Sequence, residues 1–181
     1  SVKEIQANIS SDVLVNDVPL GEEERSFFGA PSLTPDGKKA FVSSSGVDVI
    51  SVISIDSIRG LLENYSDEML NMFSNNLGIS SNYILKRIST GANPKGLAIS
   101  PDGKKLYVAE QLEDKIGVID TESFEVLSSI DLGGPKRITV ARQGRRLFNN
   151  AGHTFQNQYA CYTCHPDNHE DGLVYNMASK D

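Results

Sequence analysis

At 181 residues and 19.7 kDa, with hydrophobic residues at 39% and charged residues at 23%, the chain has the make-up of a soluble globular protein on the polar side. A net charge of −7 argues against nucleic acid or an anionic membrane surface as its main partner. No apolar run approaches the length of a transmembrane helix.

Residues 1–28 carry an acidic cluster, Glu22, Glu23 and Glu24, and no internal repeat. Val13, Val15 and Val18 are candidates for an edge strand, the alternatives being a partly disordered segment or an interchain arm. From residue 29 a repeat sets in. Thr34-Pro-Asp-Gly-Lys-Lys-Ala-Phe-Val-Ser43 returns as Ser100-Pro-Asp-Gly-Lys-Lys-Leu-Tyr-Val-Ala109. Ala141-Arg-Gln-Gly-Arg-Arg-Leu-Phe-Asn-Asn150 is a degraded third copy. Pro94-Lys95 and Pro135-Lys136 precede the second and third copies at the same distance, which gives a period of about 41 residues, the size of a propeller blade. In each Pro-Asp-Gly turn the proline presets φ and the glycine accepts a positive φ.

The first unit has strands at Val49 to Ile55 and Tyr83 to Ile88, separated by an insertion. Within the insertion Ile58, Leu61, Leu62, Tyr65, Met69, Met72 and Phe73 recur at helical spacing. This predicts one helix over about 57–78, capped by Asp56 or Ser57 and ended by Gly78, with its stripe packed on a blade edge or, as the alternative, presented to a partner. The second unit reads as a full blade. Its predicted strands are Gly96–Ser100, Lys105–Ala109, Lys115–Ile119 and a half-buried Phe124–Ile130.

Next comes a basic run, Lys136, Arg137, Arg142, Arg145 and Arg146, with no acid among them. It reads either as a solvated loop-and-strand face or as a set of partners for an acidic redox protein or for the propionates of the haem that the next motif implies. It leads to Cys161-Tyr-Thr-Cys-His165, which contains both cysteines of the chain. C-x-x-C-H is the attachment motif of a c-type haem. On one helical turn the two thiols share a face and reach two vinyl groups, and the adjacent histidine supplies the proximal imidazole. A zinc site needs a second spaced ligand pair and a thioredoxin-like dithiol needs a βαβ setting; the sequence offers neither. The motif therefore predicts one covalent haem c held by Cys161, Cys164 and His165. His153, His169 and Met177 are candidates for the distal position, and a ligand from beyond residue 181 or from another chain is the favoured alternative. Phe155, Tyr159 and Tyr162 are candidates to line the haem. Asp167, Glu170 and Asp171 read as a solvated turn, with a calcium site as the alternative.

Two resemblances follow. Pro94-Lys-Gly-Leu-Ala-Ile-Ser-Pro-Asp-Gly-Lys-Lys-Leu-Tyr-Val-Ala109 with Gly117-Val-Ile-Asp-Thr121 resembles the YVTN-type β-propeller repeat. This implies four-stranded blades around an axis over residues 29–143, and it implies no activity. Gly144-x-x-Leu147-Phe148, Cys161-x-x-Cys164-His165-Pro166-Asp167 and Asp171-Gly172-Leu173 resemble the haem domain of the di-haem cytochrome c peroxidase and MauG-related group, in the variety that follows a YVTN propeller. The resemblance assigns residues 144–181 to the start of a haem c domain. Peroxidase activity in that group needs a second haem motif, which this sequence does not contain.

The expected fold is thus mainly β: incomplete propeller blades with a helical insertion, then a small α-helical cytochrome c-type segment. A closed propeller takes four to eight blades, so other subunits or missing parts of the same protein are expected to complete it. Haem c is attached outside the cytoplasm, so an exported, periplasmic protein is expected. With neither a signal peptide nor an initiator methionine at Ser1, the chain reads as a mature or excised piece. Three functions stay open: an electron-transfer protein or redox-complex subunit with a redox partner protein, a fragment of a di-haem peroxidase-like or other multi-haem oxidoreductase, and a structural or assembly subunit.

Overall fold

The computed structural model describes residues 31–73, 76–135, 137–154 and 160–165. The predicted edge strand at Val13 to Val18 lies outside them. The described residues form two four-stranded antiparallel meanders in sequential strand order. Blade 1 comprises β1 (Ser32–Leu33), β2 (Lys39–Ser44), β3 (Val49–Ser54) and β4 (Ile84–Ser89). Blade 2 comprises β5 (Pro94–Ile99), β6 (Lys105–Glu110), β7 (Lys115–Asp120) and β8 (Val126–Asp131).

The two Pro-Asp-Gly turns are built alike. The Thr34 hydroxyl donates to Asp36 Oδ1 (2.6 Å), and the Ser100 hydroxyl donates to Asp102 Oδ1 (2.5 Å). The N–H of Lys38 or Lys104 donates to the same oxygen, at 3.1 Å in each case. Gly37 and Gly103 take φ of 68° and 73°, where only glycine sits without strain. These hydrogen bonds, led by the Thr34 and Ser100 hydroxyls, hold both carboxyls below their ordinary range. The blades match further along. Each has a bulge at the equivalent point, Val52/Ile53 in one and Val118/Ile119 in the other.

The blades stack face to face. Phe41, Ile50, Val52 and Ile88 of blade 1 pack on Leu106, Val108 and Ile119 of blade 2, all buried. Strand alternation sends Ala40, Val42 and Ile53 to the other face of blade 1. There they meet Tyr83, Ile58 and Leu61 from the insertion.

The insertion is two helices and a 3-10 turn where one helix was predicted. Helix α1 is Ile55–Asn64, α2 is Asp67–Phe73, and the 3-10 turn is Leu77–Asn82. Ser54, not Asp56 or Ser57, caps α1 by accepting from the Ser57 N–H (3.1 Å). Gly78 lies inside the 3-10 turn, which Asn76 caps. The break after Asn64 splits the predicted stripe. Ile58 and Leu61 pack on the core, whereas Leu62, Met69 and Met72 are exposed. Tyr65 and Phe73 pair edge to face at 5.0 Å.

Two further expectations are corrected. Strand β8 is exposed along its whole length, not half-buried. It is the outermost strand of its blade, and Val126, Leu127 and Ile130 along it are all exposed, so alternation there has no core to point at. Phe124 leaves the strand for a turn at φ 61° and packs on Phe41 (6.4 Å). Ala141 to Asn150 is no strand copy. Helix α3, Val140–Asn149, occupies it, with the Thr139 hydroxyl accepting from the Arg142 N–H (3.2 Å). Arg142 and Gln143 stand where the other copies have proline and aspartate, so the turn chemistry is gone.

A candidate cofactor-attachment site at the blade edge

Each blade has a hairpin joining its second and third strands. Each hairpin ends on an aspartate in the left-handed region, Asp48 at φ 59° and Asp114 at φ 52°. Both hold the segment that follows blade 2. Asp114 pairs with Arg142 of α3 at 2.6 Å. Arg142 also donates through Nε (3.2 Å) and Nη2 (2.9 Å) to the Leu112 carbonyl. One turn on, Arg146 Nη2 donates to the same carbonyl (3.2 Å) and to Glu113 Oε1 (2.8 Å). Asp48 accepts from Asn150 Nδ2 (2.9 Å) and from the Asn93 N–H (2.7 Å). The Ala151 N–H donates to the Gly46 carbonyl (2.6 Å). Burial of Asp48 raises its carboxyl above the ordinary range, against those two hydrogen bonds.

The basic run thus divides. Arg142 and Arg146 bind the blade 2 hairpin, Arg145 faces a cleft, and Lys136 lies outside the described residues. The docking is unusual in sense: the basic face of α3 meets the blade, while Val140 and Leu147 are 84% and 57% exposed.

Cys161–Cys164 forms a single helical turn, α4. The His165 N–H closes it by donating to the Cys161 carbonyl (3.1 Å), and the Thr163 hydroxyl accepts from the Ala160 N–H (3.1 Å). Both thiols are free; Cys161 is exposed and Cys164 half-buried. His165 is exposed. Tyr162, between the thiols, meets Phe148 of α3 edge to face at 6.4 Å, and Lys95 Nζ lies 4.7 Å from its ring centroid. The three residues of the attachment motif are therefore brought together on one turn. Two unbonded thiols three residues apart with an adjacent imidazole fit a thioether-linked haem.

His153 ends a 3-10 turn, Ala151–His153, and lines a second cleft with Asp48, Glu113 and Arg146. That cleft borders the one beside Tyr162, the two sharing Asn93, Leu112 and Asn149. His169, Met177, Phe155, Tyr159, Asp167, Glu170 and Asp171 lie outside the described residues. Among the described residues no three His, Cys, Asp or Glu side chains converge as a metal site, and no helix is long and apolar enough to cross a membrane. Asp48, Asp114, Asn150 and Lys95 were not singled out from the sequence. The only sequence signal was the matching hairpin position of the two aspartates.

No family model matches the chain. Over 90 residues, 50% of the chain, it is 29% identical to hydrazine synthase subunit beta of Kuenenia stuttgartiensis. The match takes in 23% of that subunit, so the chain spans about a quarter of its length. A solved Kuenenia stuttgartiensis hydrazine synthase chain aligns at TM-score 0.49 and 29% identity, over 52% of this chain and 28% of its own. Dihydro-heme d1 dehydrogenase NirN aligns at TM-score 0.40 and 17% identity, over 58% and 17%. The periplasmic gluconolactonase of Pseudomonas aeruginosa aligns at TM-score 0.40 and 23% identity, over 61% and 27%.

Proposed function

We propose that this half-chain likeness to hydrazine synthase subunit beta and the Cys161–His165 turn have one explanation: the chain is an exported, haem c-bearing electron-transfer subunit of a larger redox complex. The YVTN-type blades act as scaffold and docking surface, and residues 144–181 begin a cytochrome c-type domain. The observation that carries the reading is the pair of free thiols, Cys161 and Cys164, on one turn closed by His165. A haem bound there would supply one-electron transfer. The residues of this chain would anchor it by two thioethers and one imidazole, and α3 would fix that anchor against blade 2.

Membership of a complex draws support from the outward face of blade 2. Tyr107, Ile116, Val118 and Ile130 occupy the positions of Phe41, Ile50, Val52 and Ile88, the blade 1 residues that pack on blade 2. Ile130 is 46% exposed, Tyr107 and Ile116 are half-buried, and Val118 is buried. An apolar face that is fully covered in one repeat and only partly covered in the next suits a further sheet, from another subunit or from more of the same protein. The same feature favours the second reading, a structural or assembly subunit whose role is that contact.

The test is periplasmic expression with the c-type haem maturation machinery. The expected result is a haem-staining band that survives denaturation, a mass raised by one haem, and loss of both in Cys161→Ala and Cys164→Ala. A protein that matures without covalent haem overturns the reading and leaves the assembly role. A high-spin reduced spectrum with peroxide turnover would replace electron transfer by the peroxidase-like alternative.

A further inference from the structure

Leu106, Val108 and Ile119 form the face of blade 2 that receives blade 1. Strand register puts Ala40, Val42 and Ile53 at the same three positions of blade 1. Blade 1 therefore carries the same receiving face, and a preceding blade of this repeat would sit on it. The insertion sits there instead. Ile58 and Leu61 of α1, Ile79 of the 3-10 turn and Tyr83 pack on Ala40, Val42 and Ile53, none of which is more than 2% exposed. Alanine at 40, where blade 2 has leucine at 106, suits a face that takes the ring of Tyr83, itself buried. The ends of the insertion meet as a tight turn would. The Ser54 N–H donates to the Tyr83 carbonyl (2.7 Å), as the Asp120 N–H donates to the Glu125 carbonyl (2.9 Å) across the short turn of blade 2. The strands on either side keep equivalent registers, so blade 1 does not need the length of the insertion to form its sheet.

We infer that the insertion is a built-in cap: it fills the site that the repeat makes for a preceding blade and closes the blade series at that end. A terminal repeat of a stacked array needs such a cover for its apolar face. A further blade-like sheet then joins only at the other end, on the outward face of blade 2. The two ends of the blade pair are complementary, because each repeats one side of the contact between blades 1 and 2. Without the cap, a second copy of this chain fits head to tail, a heterologous contact that extends into chains where it does not close. The cap thus keeps the blades from associating with their own kind. It depends on the repeat and not on the haem reading, and haem staining of the matured chain reports on that reading separately.

The experiment uses the full chain, in reductant, with residues 55–83 replaced by a copy of the blade 2 turn Thr121-Glu-Ser-Phe-Glu125, which already joins the equivalent strands. Analytical ultracentrifugation should find the parent constant in mass, and the graft rising about twofold between roughly 1 and 100 μM. Ile130→Glu, at the opposite end of the blade pair, should return the graft to the mass of the parent. Ile58→Lys with Leu61→Lys unseats α1 without removing it and should give the same Ile130-dependent rise; this variant decides the matter if the graft does not fold. A folded graft that stays monomeric overturns the inference. So does association that Ile130→Glu leaves in place, a parent that already associates through Ile130, or a double Lys variant that remains monomeric.

Discussion

Replacing Arg142 by alanine should loosen helix α3 on blade 2, where Arg146 still holds it, while leaving the blades folded. A ten-residue helix is marginal on its own in water, so the protection of α3 comes from docking. Arg142 supplies two hydrogen bonds to the Leu112 carbonyl and an ion pair with Asp114 at 2.6 Å. Hydrogen bonds to charged groups contribute about 1.5–3 kcal/mol each. The pair is partly solvated, with side-chain exposures of 19% and 32%, so screening reduces the sum to about 2 kcal/mol. That corresponds to a rise of about 30-fold in the opening equilibrium of the helix, since about 1.4 kcal/mol is a factor of ten. Hydrogen exchange of peptides within residues 137–154, read by mass spectrometry on the full chain, measures it. Asp114→Asn is the partner substitution, because asparagine tolerates the φ of 52° that alanine would not. The double variant should be milder than the sum of the two by about 1 kcal/mol, the coupling expected of residues in contact. Unchanged protection of α3 in Arg142→Ala would refute the docking argument. Equal loss of protection across β5–β8 would refute it too, by showing that Arg142 holds the blade and not the helix.

Gly103→Ala should destabilise the blade pair by at least about 1–2 kcal/mol, from a left-handed alanine alone. Its Cβ would also stand 2.9 Å from Pro35 Cδ in the neighbouring turn. The expected drop in melting temperature is several degrees, and an unchanged melting curve contradicts it. Phe41→Ala empties a site fully buried between the blades and should cost about 3–5 kcal/mol in urea unfolding. Ile130→Ala, on the exposed β8, should cost far less, and similar losses for the two would mean that the inter-blade face is not the core. Acid should act through the turns. Asp36, Asp102 and Asp120 have carboxyls lowered from 3.8, the first two led by hydroxyl hydrogen bonds and the third by the Ser123 N–H. Their contribution is complete above that value and is lost as pH falls through the lowered folded-state values. Asp48 has the opposite sign. Its raised carboxyl binds a proton more readily when folded, so its protonation favours the fold as pH falls from neutral toward 3.8. Urea midpoints from pH 7 to 3 should therefore show a shallow gain before the acid loss. A parent that declines steadily from pH 7 would rule out the Asp48 effect.

The blade turns were legible because Pro35, Gly37, Pro101 and Gly103 each encode a backbone angle locally. The strands beside them were legible from alternation. Strand β8 misled because alternation in Phe124 to Ile130 records which side chains would be buried if a neighbour covered that face. Helix α3 misled for another reason. Gly-Arg-Arg-Leu-Phe148 copies the spacing of Gly-Lys-Lys-Leu-Tyr107, but glycine without the preceding proline and aspartate makes no turn. Thr139 as a cap, with Arg142 and Arg146 four apart, was the available signal for a helix. The bonds from Asn150 to Asp48 and from Arg142 to Leu112 join residues far apart in sequence and follow only from how the blades stack. The single turn at Cys161–His165 was legible because its residues are adjacent in sequence and its hydrogen bonds are local.

The hairpin aspartates show how the repeat serves the Cys161–His165 turn. Asp48 and Asp114 occupy one position of one motif, and stacking the blades puts both hairpins within reach of the same following segment. Blade 2 takes the start of α3 through Arg142, and blade 1 takes its end through Asn150 and Ala151. A helix held at both ends by two different blades cannot leave one without loosening the other. Phe148 and Lys95 then contact Tyr162 from the helix and from β5, so the thiol-bearing turn meets both parts of the same frame. On the proposed reading, a redox centre anchored there would keep its position relative to the propeller, while the outward face of blade 2 stays available for assembly. The two roles use different surfaces. Charge placed at Tyr107 should therefore weaken assembly with a neighbouring sheet and leave haem attachment intact, and loss of both together would mean that the surfaces are not separate.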